Sequence, residues 1–414
     1  MTIERIETVV IGGGQAGLAM SQSLTRHGLA HVVLERHRIA ERWRSERWDS
    51  LRFQFPNWAM RLPNFGYTGD RPDEYAPRDD VVRFIESFAD FIQAPVRTGV
   101  DVRTLHHGPD GRFRLGTADA TIEADNVVIA TGPYQQPMIP AAATQLGGVF
   151  QTTASAYRNP EQLPPGAVLV VGAGASGCQI AEELLQAGRM VFLSVGPHRR
   201  LPRRYRGRDI IWWIGALGLD EKIADEQAVR QPPLLISGAN GGHTVDLRAY
   251  AARGMRLLGR VLDARDGVVS LATDLPELLA AGDETYRNFI RGADAHVERT
   301  GISLPDDEGD RSTEWRPEAD TPQRLNLRNA GIGTVLWATG YRYAFDWVHL
   351  DVFAPSANPS ARLPVQKRGV TSIPGAYFLG LSHMYKTKSS FLSGVGEDAE
   401  FLGEHIARRS GSLT

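Results

Sequence analysis

Residues 8–17 read TVVIGGGQAG, and residues 168–177 read VLVVGAGASG. Each stretch is an apolar strand followed by a glycine-rich turn and the start of a helix, and each contains the pattern G-x-G-x-x-G. The first glycine of this pattern makes the tight turn, the second lets the backbone approach a pyrophosphate, and the third lets the helix pack closely on the strand. The sequence therefore predicts two dinucleotide-binding units, about 160 residues apart.

The residues after each turn complete the same unit twice. Each helix pattern ends at a glycine, Gly28 or Gly188, and a β-rich strand follows. A second pair of repeats, NVVIATG at residues 126–132 and TVLWATGY at residues 334–341, ends in Ala-Thr-Gly. This alternation predicts the α/β fold class, with two Rossmann-like dinucleotide-binding domains, one inserted into the other.

Proline-rich joints indicate where the insertion begins. Pro137 and Pro140 precede it, and Pro160, Pro164 and Pro165 stand at its start. We predict that residues 1–157 and 326–414 form the first domain and residues 158–325 the second. The exit from the second domain falls in the charged, proline-containing stretch 305–322.

The overall composition narrows the classes of function. The chain has 414 residues, 46 basic and 48 acidic, so its formal charge of −2 gives no positive footprint for nucleic acid or an anionic membrane surface. The N-terminus lacks the apolar region of a secretory signal, and no apolar stretch is long enough to span a bilayer. We expect a cytoplasmic protein with no nucleic-acid partner and no membrane span.

A single cysteine, Cys178, narrows the chemistry further. One cysteine forms no internal disulfide, no redox-active CxxC pair, no zinc ribbon and no cysteine-ligated iron–sulfur cluster. We predict no metal site. The disulfide reductases that share a two-dinucleotide layout and depend on a cysteine pair are excluded, and we expect Cys178 to be packed rather than reactive.

The strand after each turn indicates which dinucleotide each unit binds. Glu35 ends the first such strand, where a carboxylate accepts hydrogen bonds from ribose hydroxyls and disfavours a 2′-phosphate. In the second unit Ser194 stands at the strand end, and Arg199 and Arg200 follow. These residues favour NADPH in the second site and FAD in the first. The alternative is that the arginines of residues 199–208 form a solvated basic loop.

The chain resembles the flavin-containing monooxygenases, the class B flavoproteins that include the plant auxin-forming enzymes, and is most similar to bacterial flavoproteins of that group. The resemblance rests on both G-x-G-x-x-G turns, on Trp43, on WDSLR at residues 48–52 and on ATGPY at residues 130–134. It continues through YRNP at 157–160, ATGY at 338–341 and SSFLSGVGEDA at 389–399. It implies FAD contacts at Glu35, Arg36 and Trp43, an adenine contact near Val102, and close passage of the chain at Gly132 and Gly340.

Together these arguments predict a set of cofactor-binding residues: Gly12, Gly14, Gln15, Ala16, Gly17, Glu35, Arg36, Trp43, Val102, Ala130, Gly132, Gly172, Gly174, Ala175, Ser176, Ser194, Arg199, Arg200, Ala338 and Gly340.

The family places an asparagine amide beside the flavin edge, and Gln54 stands at the matching position, so Gln54 is the predicted catalytic residue. Thr153 replaces the family histidine four residues before Tyr157, and the Baeyer–Villiger signature is absent. The resemblance also implies that the reduced FAD forms a C4a-(hydro)peroxide with dioxygen and oxygenates nitrogen, sulfur or a carbonyl carbon of a small organic substrate.

Two other functions remain as alternatives. One is an NADPH-dependent flavin dehydrogenase or oxidase without oxygen insertion, which the replacements at Gln54 and Thr153 favour. The other is a nucleotide-binding flavoprotein without turnover, against which the intact glycines argue. The apolar run around Trp212 and Trp213 is compatible with three roles: lining a substrate pocket, packing in a core or forming a homodimer face.

Overall fold

The computed structural model describes residues 3–223, 231–307, 313–317, 322–355 and 362–411. The predicted exit of the inserted domain, in residues 305–322, lies partly outside these ranges. The helices of the described residues are α1 Gln15–Arg26, α2 Glu41–Ser45, α3 Arg78–Phe91, α4 Ala175–Gln186, α5 Ile210–Ala216, α6 Leu247–Ala252, α7 Leu275–Thr300 and α8 Val395–Arg409.

The strands are short and follow one another in hairpins or after helices. They are β1 Ile3–Ile11, β2 His31–Glu35, β3 Arg61–Leu62, β4 Phe65–Gly66, β5 Val96–Thr98, β6 Thr104–His107, β7 Phe113–Gly116, β8 Thr121–Ile129, β9 Gln136–Pro137, β10 Phe150–Thr153, β11 Ala167–Val171, β12 Val191–Ser194, β13 Arg199–Arg200, β14 Arg204–Tyr205, β15 Arg208–Asp209, β16 Leu234–Leu235, β17 Arg256–Leu258, β18 Val261–Arg265, β19 Val268–Leu271, β20 Arg324–Asn326, β21 Ile332–Trp337, β22 Tyr341–Arg342, β23 Val348–His349 and β24 Ala376–Phe378.

The first sheet has eight strands in the order β23-β6-β7-β8-β1-β2-β5, with β24 also paired to β8. Strands β24, β8, β1, β2 and β5 are parallel, and β6, β7 and β8 form an antiparallel meander. Helices α1 and α8 pack on one another beside this sheet. The central strands β1 and β8 end in buried apolar runs, residues 9–11 and 127–129, because a parallel sheet is covered on both faces.

The second sheet has five parallel strands in the order β10-β21-β11-β12-β17. Two separate apolar clusters, containing Val168 and Leu169 respectively, cover its two faces. Strands β10 and β21 lie outside the predicted 158–325 span, yet both pair within this sheet. We propose domain boundaries that enclose both strands, since a strand belongs to the domain whose hydrogen-bond ladder it completes.

The two sheets repeat the same local order around each fingerprint strand. Strand β1 lies between β2 and β8, and β11 lies between β12 and β21. Strands β8 and β21 are the two repeats that end in Ala-Thr-Gly. The predicted α/β fold with two dinucleotide-binding sheets is confirmed, and each Ala-Thr-Gly strand lies directly beside its own fingerprint.

Candidate cofactor and active site

The first glycine-rich turn, residues 12–17, joins β1 to α1 and leaves no room for a side chain at Gly12 or Gly17. A Cβ at Gly17 would lie 1.9 Å from the Gly12 carbonyl oxygen, and one at Gly12 would lie 2.6 Å from the Ala130 oxygen. Gly12 has φ +118°, which only glycine adopts readily. Helix α1 begins at Gln15 with no side-chain cap, so its first backbone N–H groups face outward for an anion.

Glu35 lies at the end of β2, over this turn. Its Oε2 accepts a hydrogen bond from the Gly13 backbone N–H at 2.7 Å, and its Oε1 accepts one from the His37 N–H at 2.9 Å. The half-buried carboxylate is therefore held beside the glycine turn, where the ribose of a dinucleotide lies in this type of fold. Arg36 is exposed, and Val102 is buried in the core of the first sheet.

The second glycine-rich turn, residues 172–177, has the same dimensions as the first. A Cβ at Gly177 would lie 1.9 Å from the Gly172 oxygen, and one at Gly172 would lie 2.5 Å from the Ala338 oxygen. Gly172 has φ +107°, and α4 begins at Ala175, again with no side-chain cap. The repeated geometry gives the chain two equivalent diphosphate cradles.

The register of the second sheet shows which residue of the second unit matches Glu35. Ile11 pairs with Leu34 in the first sheet and Val171 pairs with Ser194 in the second, so Ser194 matches Leu34, and Val195 stands where Glu35 would be. The Ser194 hydroxyl donates to the Gly259 carbonyl at 3.0 Å and accepts from the Val261 N–H at 3.2 Å. Ser194 thus ties β12 to the chain after β17, and an apolar side chain replaces the ribose-binding acid.

The two predicted phosphate-binding arginines differ in their surroundings. Arg200 is buried and forms ion pairs with Asp246 at 3.3 Å and Asp283 at 3.1 Å. These internal ion pairs favour a structural role for Arg200 over the predicted cofactor contact. Arg199 is half-buried and donates to the Pro232 carbonyl and the Gln231 side chain, and burial lowers its pKa. Arg199 is the candidate that remains.

A cavity of about 600 Å³ lies where the two fingerprints face each other. Its wall is mainly apolar and includes eight aromatic side chains: Trp43, Trp48, Phe53, Phe55, Tyr134, Trp337, Tyr341 and Phe391. The predicted residues that line it are Gln15, Trp43, Gln54, Gly172, Gly174, Ala175, Ser176, Ala338 and Gly340. The other predicted residues lie outside its lining: Gly12, Gly14, Ala16, Gly17, Glu35, Arg36, Val102, Ala130, Gly132, Ser194, Arg199 and Arg200.

Gln54 is half-buried in the cavity wall between Phe53 and Phe55. The rings of Phe53 and Phe55 are 5.5 Å apart between centroids, and Phe55 meets Phe391 edge-on at 5.2 Å. These aromatic contacts connect the segment that carries Gln54 to the C-terminal part of the chain. A side-chain amide at this position can both donate and accept hydrogen bonds beside these rings.

Arg47 was not predicted from the sequence, although it lines the same cavity. Its guanidinium lies 5.8 Å from the Trp43 ring centroid and 5.3 Å from that of Tyr134. The density of aromatic residues between Trp43 and Trp58 was the available signal for this wall.

Residues 390–392 close the cavity on the C-terminal side, just before α8. The Gln15 side-chain amide donates to the Ser390 carbonyl at 2.6 Å and so connects the first fingerprint to this segment. Helix α8 begins at Val395, directly after Gly394. Its first turn carries Asp398, whose pKa is raised because the carboxyl group is buried.

A cluster of four charged side chains, Glu221, Lys386, Lys388 and Glu397, connects the closing segment to the loop after α5. Lys386 Nζ lies 2.6 Å from Glu221 and 2.7 Å from Glu397, and Lys388 also contacts both carboxylates. Hydrogen bonds from the two lysines lower the pKa of Glu221. The Thr387 N–H also donates to the Lys222 carbonyl at 3.2 Å, so the two segments are joined by backbone as well as by charge.

Cys178 lies on α4 directly after the second turn and is fully buried. Burial strongly raises the pKa of its thiol, which makes the reactive thiolate scarce. In the described ranges, no group of His, Cys, Asp and Glu side chains is arranged to hold a metal ion. No helix of those ranges is long and apolar enough to cross a membrane.

The comparisons with known proteins agree with this geometry. Residues 9–206 match the pyridine nucleotide-disulphide oxidoreductase family model. An oxidoreductase of Geobacillus kaustophilus described as CzcO-like is 31% identical over 96% of this chain and 97% of its own length. The chain belongs to the CzcO-like oxidoreductases.

More distant matches extend the comparison. Indole-3-pyruvate monooxygenase YUCCA8 of rice is 30% identical over 48% of this chain and 50% of its own length. A flavin-containing monooxygenase of Stenotrophomonas maltophilia, 18% identical, superposes over 98% of this chain and 99% of its own with a TM-score of 0.65. A bacillithiol disulfide reductase of Bacillus cereus, 13% identical, superposes over 98% and 100% with a TM-score of 0.62. The predicted flavin-containing monooxygenase relationship and a flavin-dependent oxidoreductase activity are confirmed.

The residues present fit the two cofactors of this family, FAD and NADP. The first turn offers a diphosphate cradle with a carboxylate beside it, which suits the adenosine half of FAD. The second offers an equal cradle with Val195 in the acid's place and Arg199 nearby, which suits a 2′-phosphate. The cavity that joins the two turns gives a place where the reactive ends of the two cofactors can meet.

Proposed function

We propose that the protein is an NADPH-dependent flavin monooxygenase that activates dioxygen at the C4a carbon of its reduced flavin and oxygenates a small organic substrate. The observation that carries this proposal is the cavity in which both fingerprints meet a mainly apolar wall that contains eight aromatic side chains. When bound, FAD accepts a hydride equivalent from NADPH and supplies the electrons that activate dioxygen. The protein's own residues bind the two cofactors, orient the substrate and enclose the reaction site.

The first fingerprint and Glu35 hold FAD in this proposal. The uncapped start of α1 stabilises the diphosphate, and the Glu35 carboxylate accepts hydrogen bonds from ribose hydroxyls. The second fingerprint holds NADPH in the same way. Arg199 pairs with the 2′-phosphate, to which the apolar Val195 offers no repulsion.

The cavity wall excludes water and positions the substrate. Aromatic rings remove the solvent that would otherwise release hydrogen peroxide without oxygenation. The Gln54 amide is the polar group that we propose beside the flavin edge, where it orients the reacting atoms by hydrogen bonding. The eight aromatic side chains of the wall favour a flat, mainly apolar substrate, and we propose that it is oxygenated at nitrogen, sulfur or a carbonyl carbon.

The relatives support oxygen insertion over electron transfer to thiols. Two of them carry monooxygenase in their names, and one of these, the rice protein, acts on indole-3-pyruvate. The B. cereus disulfide reductase has the same overall fold, so the fold alone does not choose between the two reactions. In this chain the single, buried Cys178 offers no cysteine pair to take electrons from the flavin.

An NADPH-dependent flavin dehydrogenase or oxidase is the second candidate. It is favoured by Gln54, whose side chain is one methylene longer than the family's asparagine. It is also favoured by Thr153, which replaces the family histidine. The Thr153 hydroxyl lies 3.0 Å from Ser155 Oγ. Both reactions begin with reduction of the flavin by NADPH, and they differ in the fate of the reduced flavin once oxygen arrives.

One experiment separates the candidates. FAD-loaded protein is reduced with NADPH under argon and mixed with oxygenated buffer while the flavin absorbance is followed. A monooxygenase gives an oxygen-dependent absorbance that decays slowly before oxidised flavin returns. Immediate return with one hydrogen peroxide per NADPH supports the oxidase, and no bleaching by NADPH supports a binding protein without turnover.

The cofactor assignment has its own test. Substitution Arg199→Met is expected to raise the KM for NADPH while leaving that for NADH unchanged, because only NADPH carries the 2′-phosphate. Equal effects on both nucleotides would reject Arg199 as the phosphate ligand. The cytoplasmic location and the homodimer remain predictions.

A further inference from the structure

Arg203 is a buried arginine of the second domain that reaches the segment carrying Gln54. Only 3% of the residue is exposed, and its Nη1 donates to the Gln54 backbone carbonyl at 2.7 Å. The same nitrogen lies 3.3 Å from the Ser237 carbonyl. One guanidinium therefore joins residues 54 and 237, which belong to different parts of the fold.

The other nitrogens of Arg203 are held by Asp209. Nη2 lies 2.9 Å from Asp209 Oδ2 and 3.1 Å from Oδ1, and Nε lies 3.0 Å from Oδ2. The Tyr75 hydroxyl donates to Asp209 Oδ2 at 2.6 Å, and the guanidinium lies 4.4 Å from the Tyr75 ring centroid. Burial, and then the hydrogen bond to Asp209, raises the pKa of Tyr75 to about 12, so its hydroxyl keeps the proton that it donates.

The backbone around this cluster is packed without spare room. A Cβ at Gly238 would lie 2.1 Å from the Phe53 carbonyl oxygen, and one at Gly242 would lie 2.4 Å from the Tyr75 ring. The Phe53 N–H donates to the Ala76 carbonyl at 2.7 Å, so the segment that carries Tyr75 is hydrogen-bonded to the segment that carries Gln54. Movement of residues 237–242 is therefore transmitted to residues 51–54.

We propose that Arg203 is a positioning residue that fixes the backbone of Gln54, with Asp209 and Tyr75 holding its guanidinium in place. Through this contact the inserted domain sets where the Gln54 amide lies in the cavity. The catalytic importance of that amide rests on the proposed function. The proposal that Arg203 determines the position of residue 54 does not depend on it.

The chemistry of the position suits arginine in particular. The guanidinium is a planar fork of five donors, and here Nε and Nη2 face the carboxylate while Nη1 faces the Gln54 and Ser237 carbonyls. A lysine at this position keeps the charge but presents one nitrogen, so it cannot satisfy Asp209 and the Gln54 carbonyl in the same geometry. Arg203→Lys is therefore the informative change, because it separates charge from position.

The control is Arg248→Met. Arg248 belongs to the same domain, its side chain is 15% exposed, and it donates to Asp283 through both Nε and Nη2 and to the Trp315 carbonyl. The substitution removes a comparably enclosed ion pair. The partners of Arg248 in that pair lie away from the segment that carries Gln54. A general loss of stability will therefore be seen in both variants, and a loss of position only at Arg203.

The experiment compares wild-type, Arg203→Lys and Arg248→Met protein in the FAD-loaded state. Crystal structures report the place of Gln54, and stopped-flow absorbance reports flavin reoxidation after NADPH reduction and mixing with oxygen. In Arg203→Lys we expect Gln54 to move by more than about 0.5 Å, the tolerance of a functional constellation, and reoxidation to accelerate about tenfold or more. Arg248→Met is expected to match wild type in both readouts.

Two results would overturn the inference. One is a Gln54 that keeps its place in Arg203→Lys, and the other is an equal change of reoxidation in Arg248→Met. If wild-type protein itself reoxidises at once with stoichiometric peroxide, the proposed monooxygenase function fails, and the position of Gln54 in the crystals still decides the role of Arg203. If Arg203→Lys does not fold, Tyr75→Phe removes the hydroxyl on Asp209 and is expected to give a smaller shift of Gln54 in the same direction.

Discussion

The contact between Gly238 and Phe53 gives a steric test of the link between the inserted domain and the cavity. Gly238 has φ −93° and ψ −5°, which alanine adopts without strain, so Gly238→Ala adds only a methyl group. That Cβ would lie 2.1 Å from the Phe53 oxygen, whereas carbon and oxygen normally approach to about 3.3 Å. Residues 237–239 and 52–54 must therefore separate by about 1.2 Å.

Two effects are expected from a separation of this size. Overpacking of a filled site costs about 1–3 kcal/mol, so the melting temperature is expected to fall. A misplacement of about 1 Å near reacting groups changes rates by up to about 100-fold. Gln54 follows Phe53 directly, so we expect NADPH consumption without substrate, and the matching release of hydrogen peroxide, to rise tenfold or more.

The matched control is Gly215→Ala in helix α5, where a new Cβ meets nothing within 4 Å. An alanine in a helix is favoured over glycine by about 1 kcal/mol, so this variant is expected to be slightly more stable and unchanged in turnover. Thermal unfolding and coupled assays for NADPH and peroxide measure both quantities. If Gly238→Ala behaves like Gly215→Ala, the packing argument for Gly238 and Phe53 is refuted.

Three further predictions concern the first fingerprint, the buried Cys178 and the half-buried His243. Gly17→Ala places a Cβ 1.9 Å from the Gly12 oxygen and is expected to yield protein without the visible absorbance of FAD; a full flavin complement would contradict the tight-turn argument. Cys178→Ala is expected to leave NADPH-driven flavin bleaching unchanged, and the wild-type thiol to react with a thiol reagent only after unfolding; loss of bleaching would restore a thiol mechanism. The hydrogen bond to Glu182 raises the pKa of His243 above its usual 6.5, so this stabilisation is full below about pH 6.5 and is lost as pH rises through the raised value. The melting-temperature difference between wild type and His243→Gln should therefore narrow from pH 6 to alkaline pH, and a difference independent of pH would reject the linkage.

The features that the sequence predicted well are local ones. Gly12 and Gly17, and likewise Gly172 and Gly177, lie within six residues of one another, so their pattern contains the whole geometry of each turn. The strand and helix on either side are predicted by apolar periodicity, which is also local. Both fingerprints and the overall α/β fold can therefore be predicted from the amino-acid sequence alone.

Features that depend on register and on distant partners have no local signal in the sequence. The register that matches Ser194 to Leu34 is one example, because the turn alone does not determine how the next strand pairs. Arg200 matched a phosphate-binding pattern, but its partners Asp246 and Asp283 stand 46 and 83 residues away.

The partner of each strand also has no local signal in the sequence. The two Ala-Thr-Gly strands, β8 and β21, have similar apolar runs, and neither run indicates which strand it will pair with. Pairing placed β21 beside β11, in the second sheet. The contact of Arg203 with Gln54 spans 149 positions and likewise has no local signal.

The interleaved strand order has a consequence for how the chain folds as it is synthesised. The second sheet uses strands from β10 to β21, so its last strand emerges from the ribosome at Trp337. The first sheet contains β1 but needs β24, at Ala376–Phe378, about 40 residues later. All strands of the inserted domain have therefore been synthesised while the domain that begins the chain still lacks β24. A growing chain would acquire its nicotinamide-nucleotide domain before its flavin domain, the reverse of their order along the sequence.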